Sequence, residues 1–184
     1  MLKVIIILLF FNFYLPANSL PKDKIISQIK ITNNLSFNFK QTINDKSEGG
    51  KCIIEYPKKI FCEYNNTNKK ILVSNGSSLV IETNNKGSYY HYPLNKTPLE
   101  FLLDKEYLIA KIEELEPRDI DNKYLNFKIF ENNNEINIFF DKKDFNLVGW
   151  QTEDIYQNLS ITFISSVKKN QEIDSKIFKL PENN

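Results

Sequence analysis

A helical pattern comes first along the chain. Between residues 22 and 33, the apolar residues Ile25, Ile26 and Ile29 recur at spacings of three and four. Such spacing places them on one face of a helix, with polar residues around the rest of its surface. We therefore expect an amphipathic helix here.

The pattern then changes to strict alternation of apolar and polar residues, as in the run from Leu35 to Ile43. A period of two indicates a strand with one buried face, and about ten or eleven short strands in series predict an antiparallel sheet curled toward a barrel. The predicted strands cover residues 35–43, 52–56, 60–64, 70–74, 79–83, 89–92, 108–112, 125–129, 136–140, 145–152 and 159–167, with 177–180 as a further candidate.

Residues 97–100 (Thr-Pro-Leu-Glu) interrupt the strands with a helix-start signal. A threonine before proline, with glutamate three positions later, is typical of a capping box in which Thr97 is the N-cap. The apolar stretch 101–103 follows. Because so apolar a helix must cover another surface, we expect it to lie over the concave side of the sheet, together with the N-terminal helix.

The N-terminus has the three parts of a signal peptide. Lys3 supplies the positive start, residues 4–15 form the apolar run, and Ala17-Asn18-Ser19 has the small residues that signal peptidase requires. A membrane anchor is the alternative, but a bilayer takes about 20 apolar residues, and Pro16 ends this run early. We predict cleavage of residues 1–19, export to the periplasm, and one domain over residues 20–184.

Composition narrows the function by exclusion. The 184 residues include 24 basic and 23 acidic ones, and without a basic patch the protein is not expected to bind nucleic acid. The one histidine, His91, lacks partners at metal-ligand spacing, and no nucleophile motif accompanies it. We therefore expect no catalytic residues, no metal, no other cofactor and no enzymatic activity.

Cys52 and Cys62 are the two cysteines of the chain. Residues 56–59 between them predict a hairpin tip, and if Glu55 pairs with Lys59, Cys62 falls directly opposite Cys52. Facing strand positions come within disulfide range, and an oxidising compartment favours the bond. We expect a disulfide; two buried thiols that act as small apolar side chains are the alternative.

A series of short motifs runs from the signal peptide to the last predicted strand. The motifs are Phe39-Lys40-Gln41, Gly50, Tyr56-Pro57, Glu63-Tyr64, residues 71–76 with Leu79, residues 92–99 with Leu102-Leu103, residues 145–150 and residues 157–163. In their order and spacing, these motifs specifically resemble the family of periplasmic outer-membrane lipoprotein carrier proteins, LolA, and in particular its alphaproteobacterial members.

This resemblance implies a half-open antiparallel β-barrel with a helical lid over an apolar cavity. It also implies the function of a monomeric carrier, which accepts lipoproteins from an inner-membrane ABC transporter and shields their acyl chains. The carrier then passes them to the outer membrane, through an acceptor lipoprotein where the cell has one. A module of the same architecture that binds or senses lipids or small apolar ligands, and a solidly packed scaffold, are the alternatives.

The inward positions of the predicted strands supply the candidate site residues. The expected cavity lining is Phe37, Phe39, Ile54, Ile60, Phe127, Ile129, Ile138, Phe140, Ile161 and Phe163. The expected lid residues are Ile25, Ile29, Leu99, Leu102 and Leu103.

The disulfide is tested by alkylating the native protein and measuring its intact mass. We expect no adduct before reduction and two adducts after reduction, because a disulfide leaves no thiol to react. Two adducts on the unreduced protein would contradict the pairing of Cys52 with Cys62.

Overall fold

The computed structural model describes residues 20–66, 69–83, 88–132, 134–153 and 158–181. The predicted signal peptide, residues 1–19, lies outside the described residues. Within the described part of the chain, no helix is long and apolar enough to cross a membrane.

Eleven antiparallel strands form one sheet. The strands are β1 Asn34–Ile43, β2 Lys46–Glu55, β3 Lys59–Tyr64, β4 Ile71–Asn75, β5 Ser78–Thr83, β6 Ser88–Pro93, β7 Arg118–Ile120, β8 Tyr124–Glu131, β9 Asn134–Asp141, β10 Leu147–Glu153 and β11 Leu159–Lys169. Their order in the sheet is β6-β5-β4-β3-β2-β1-β11-β10-β9-β8-β7. Because β6 and β7 end the sheet without pairing to each other, the predicted mostly-β, half-open architecture is confirmed.

The sheet is joined at its centre by β1 and β11. Their antiparallel pairing runs from Leu35 opposite Lys169 to Ile43 opposite Ser160. The register shifts between Ser36 and Asn38, beside Ser166, which has a positive φ of 53°. A bulge of this kind reverses which side chains face the core, so β11 changes its inward set partway along.

Three helices lie on the concave side: α1 Pro21–Ile31, α2 Leu99–Leu102 and α3 Lys105–Glu114. The first and third pack against each other. Their buried isoleucines Ile25 and Ile112 share one apolar core with Phe127 and Phe140 of β8 and β9. This half of the concave face is therefore solidly filled.

The prediction of a strand over residues 108–112 is wrong, because this segment lies in α3. Leu108, Ile109 and Ile112 are buried while Ala110 is exposed, which is the periodicity of a helix face. Asp104 is the N-cap of this helix, and its side chain accepts a hydrogen bond from the backbone N–H of Tyr107 at 3.1 Å. A short strand that was not predicted, β7, follows α3.

The capping box at Thr97 does not form. The Thr97 hydroxyl donates to the carbonyl of Leu94 at 2.9 Å, and α2 begins after Pro98. Glu100, the expected capping partner, accepts a hydrogen bond from Lys58 instead. The ion pair between Glu100 and Lys58 thus takes the place of the predicted capping contact between Glu100 and Thr97.

The C-terminal segment covers part of the convex face. Residues 177–180 do not form a strand; instead a short 3-10 helix, Ser175–Phe178, packs against β3 and β4. Phe178 is buried, and so are Val73 and Val80. These two valines lie on the convex face, because adjacent residues of their strands line the cavity on the concave face. Strands β4 and β5 therefore have apolar contacts on both faces.

Glycine is required at position 50, where β2 passes between Phe39 and Tyr64. A Cβ atom there would lie 2.0 Å from the carbonyl oxygen of Glu63 and 2.8 Å from the Phe39 ring. Neither the backbone nor the packed ring can move aside without cost. Because Gly50 has no side chain, the ring centroids of Phe39 and Tyr64 can lie 4.9 Å apart.

Gly50→Ala is expected to lower the free energy of unfolding by about 3 kcal/mol through overpacking, as measured by urea denaturation. Gly49→Ala is the matched control, because a Cβ atom at that position meets its nearest neighbour, the oxygen of Phe39, at 3.1 Å. Equal losses for the two variants would contradict the close packing at Gly50.

Candidate functional site

The other half of the concave face encloses a cavity of about 400 Å³. Strands β1 to β6 form its wall, β10 and β11 close one side, and the start of α2 covers one end. The lining residues are Phe39, Gln41, Ile43, Cys52, Ile60, Cys62, Tyr64, Lys70, Leu72, Leu79, Ile81, Tyr90, Tyr92, Thr97, Pro98, Leu99, Trp150, Thr152, Glu153, Ser160 and Thr162.

The end of the cavity beneath α2 is apolar. Ile60, Leu79 and Trp150 face Leu99 across it. The structure joins Cys52 and Cys62 as a disulfide, and both residues are buried in this wall. Their strand register, with Glu55 opposite Lys59, is the predicted one. The surface presented to a ligand here is typical of a site for hydrocarbon chains.

Polar side chains gather at the opposite end, where β1, β3, β10 and β11 meet the cavity. The Gln41 amide nitrogen donates to Ser160 Oγ at 3.1 Å and to Thr162 Oγ1 at 3.2 Å. Its oxygen accepts from the Tyr64 hydroxyl at 3.2 Å. Burial raises the pKa of Tyr64, with the nearby Glu48 carboxylate adding to the shift. The Tyr64 phenol is therefore an uncharged donor at physiological pH.

The helix α2 and the residue after it form the lid. Leu102 and Leu103 are buried against Ile54 and Ile138 of the sheet in a small apolar contact region. Leu99 reaches both this region and the large cavity. The lid thus seals the apolar end with side chains that touch the sheet directly.

Lys58, at the tip of the β2–β3 hairpin, holds the lid to the sheet. Its ammonium lies 3.0 Å from Glu100 and 3.3 Å from Asp104, and its backbone N–H donates to the carbonyl of Leu103 at 2.8 Å. The hydrogen bond to Glu100 is the main cause that raises the pKa of Lys58, against an opposing effect of desolvation. We call these contacts the lid latch.

Thirteen of the fifteen predicted lining and lid residues fall into three groups in the structure. Phe39, Ile60 and Leu99 line the large cavity. The second group surrounds the lid contact region: Ile54, Ile138, Leu102 and Leu103. The third group lies in the filled core beneath or beside α1 and α3: Ile25, Ile29, Phe37, Phe127, Ile129 and Phe140.

Two predicted lining residues, Ile161 and Phe163, face away from the cavity. Phe163 is 50% exposed, whereas the alternate residues Ser160 and Thr162 are buried at the cavity wall. The apolar residues of this stretch of β11 therefore lie on the convex face, and the prediction is corrected. The usual rule of apolar inside and polar outside is reversed because the inward positions belong to the polar end of the cavity.

Most of the residues that line the cavity are not among the predicted lining and lid residues. The predicted strands 70–74 and 79–83 contain three of these residues, Leu72, Leu79 and Ile81. Trp150 lies in the predicted strand 145–152 and in one of the motifs of the family resemblance, but it is not among the predicted lining residues. Leu79 and Ile81 lie two positions apart, as do Leu72 and Ser74, so each pair lies on one face of its strand. This period of two was the sequence signal that could have placed them on the inward face.

An open sheet that curls around an apolar cavity, with a helix over one end, defines a fold suited to binding hydrophobic molecules. The sequence profile described as outer membrane lipoprotein carrier protein LolA matches residues 30–181. The chain therefore belongs to the LolA family, and the resemblance inferred from its motifs is confirmed. Proteins of this family are periplasmic and bind hydrophobic ligands.

Solved structures align with this chain at low sequence identity. An uncharacterized conserved protein from Thermus thermophilus aligns with a TM-score of 0.52 at 5% identity, over 88% of this chain and 94% of that chain. A LolA superfamily protein from Nitrosomonas europaea gives 0.47 at 10% identity, over 88% and 99%. MucB gives 0.48 at 5% identity, over 88% and 62%. None of the curated proteins compared matches this sequence.

Lys58→Met is expected to loosen the lid, because it removes the ammonium and leaves two carboxylates close together. Amide hydrogen exchange of residues 99–104, followed by mass spectrometry, should become about fivefold faster, since partly exposed ion pairs contribute up to about 1 kcal/mol.

Lys59→Met is the control for this prediction. Lys59 pairs with Glu55 at 2.7 Å on the same hairpin without contacting the lid. The lid latch would be contradicted by unchanged exchange in Lys58→Met, or by equal acceleration in both variants.

Proposed function

We propose that this chain is a periplasmic carrier of lipoproteins. It accepts them from an inner-membrane ABC transporter, shields their acyl chains in the cavity, and delivers them to the outer membrane. The observation that supports this proposal is the unfilled apolar cavity of about 400 Å³ between the sheet and α2, in a chain of the LolA family.

The energetics of acyl chains explain why such a cavity is useful. At about 30 Å³ for a water-sized group, the cavity has room for about 13 methylenes. Removing that many methylenes from water is worth about 10 kcal/mol, at about 0.8 kcal/mol each. This volume corresponds to about one acyl chain, and we infer that α2 moves outward when a lipoprotein with several chains is bound.

The lid latch is suited to that movement. The lid consists of one helical turn, and its polar attachment consists of Lys58 with two carboxylates at the protein surface. Such ion pairs are weak and re-form readily. The carrier can therefore admit cargo without disturbing the disulfide-linked wall, and it can release cargo to an acceptor.

Export and the identity of the partners complete the proposal. Residues 1–19 act as a cleaved signal peptide, and residues 20–184 act as the carrier domain. The transporter supplies lipoproteins from the inner membrane. At the outer membrane, an acceptor lipoprotein receives them where one is present.

A release assay tests the proposal. Protein produced from the full chain is added to spheroplasts that carry the matching transporter, and the supernatant is probed for outer-membrane lipoproteins. We expect soluble lipoprotein complexes with the native protein. We also expect severalfold less release with Leu72→Trp, because the indole occupies volume inside the cavity.

Ile71→Trp is the matched control, since it makes an equal change in side-chain volume at the next position, on the convex face. This variant should release lipoproteins as the native protein does. If the folded native protein released none, the carrier function would be refuted. Equal loss in both tryptophan variants would refute the role of the cavity.

A further inference from the structure

The polar end of the cavity is built as a connected unit. Gln41 and Tyr64 on β1 and β3 are hydrogen-bonded to each other, and Gln41 contacts Ser160 and Thr162 on β11. Thr152 on β10 lies beside them on the cavity surface. We call these five residues the polar wall. Its members come from four strands, so the fold brings them together from distant parts of the chain.

The hydrogen-bond directions leave donors for a ligand. Ser160 Oγ and Thr162 Oγ1 both accept from the Gln41 amide. Each hydroxyl also has a proton of its own, which can be donated to another oxygen. Because both side chains line the cavity, a ligand carbonyl that reaches this end can accept from them.

The charges around the polar wall do not favour an anion. Lys70, the cation on the cavity lining, forms an ion pair with Glu48 and lies 3.8 Å above the Tyr64 ring. Glu153 lines the same end, and among the described residues no cation lies within ion-pair distance of it. A carboxylate drawn into this end would be partly desolvated without a cationic partner, which is unfavourable.

We propose that the polar wall binds the uncharged ester or amide group that joins an acyl chain to its parent molecule, and that it discriminates against a free fatty carboxylate. The hydrocarbon chain then extends past Phe39 toward Ile60 and Leu99 beneath the lid. This inference rests on the proposed function, in which the cavity holds acyl chains, and it adds the chemical class of the group at the chain's head.

The test compares two ligands with the same hydrocarbon chain. N-phenylnaphthylamine, an uncharged fluorescent probe, is bound to the purified protein and displaced by monopalmitoylglycerol or by palmitate in mildly alkaline buffer. We expect the ester to displace the probe at about tenfold lower concentration than the carboxylate, because the carboxylate loses hydration at the polar wall without gaining a cationic partner.

A double variant identifies the residues responsible. Ser160→Ala with Thr162→Val removes both hydroxyls at nearly constant shape, so affinity for the ester should fall about tenfold while that for the probe stays the same. The matched control is Thr42→Val with Ser165→Ala, which removes two hydroxyls from the convex face of the same strand pair. The control should keep the native affinity for the ester.

The outcomes separate this inference from the proposed function. If the native protein binds the probe but takes ester and carboxylate equally, the polar wall has no selective role, and acyl binding stands. A Ser160/Thr162 variant that keeps the native affinity for the ester would also overturn the assignment. If the folded native protein does not bind the probe or either lipid, the carrier function itself fails, together with this inference.

Discussion

The pairing of β1 with β11 is the interaction on which the rest of the structure depends. It joins strands more than a hundred residues apart in sequence and divides the sheet into two arms, β2 to β6 and β10 to β7. The same pairing places Gln41 beside Thr162 and so creates the polar wall. Long-range pairing of this kind is entropically expensive to form, and here both the arms and the ligand site follow from it.

The two arms have different contents. Helices α1 and α3 fill the concave face over β8 and β9, where Phe127 and Phe140 are fully buried. Over the other arm lies the short α2, and the space between it and the sheet stays open. One arm therefore supplies the stability of a packed core, while the other has a gap whose cover is held by a few polar contacts. This separation allows the region around the cavity to change shape while the packed arm maintains the fold.

Periodicity predicted the sheet well because most strands have one buried face. The alternation from Leu35 to Ile43 and the pairing of Glu55 with Lys59 both appear as expected. Periodicity gave the wrong prediction at residues 108–112, because the spacing of Leu108 and Ile112 fits both a strand and a helix. The neighbouring Ile109, which is apolar as a helix face requires, was the residue that distinguished the helix from the strand. Periodicity also could not show which inward residues the helices would cover, so Phe127 and Ile129 were expected in the cavity and lie in the core.

The C-terminal segment has a consequence for how the cavity can change over evolution. The 3-10 helix that contains the buried Phe178 packs against β3 and β4 on the convex side, and the other face of these strands lines the cavity. The position of that wall thus depends in part on residues that are not among its lining. Variation in the tail can alter the shape of the ligand site without altering its lining. Related chains with the same lining residues can therefore differ in the shape of the cavity.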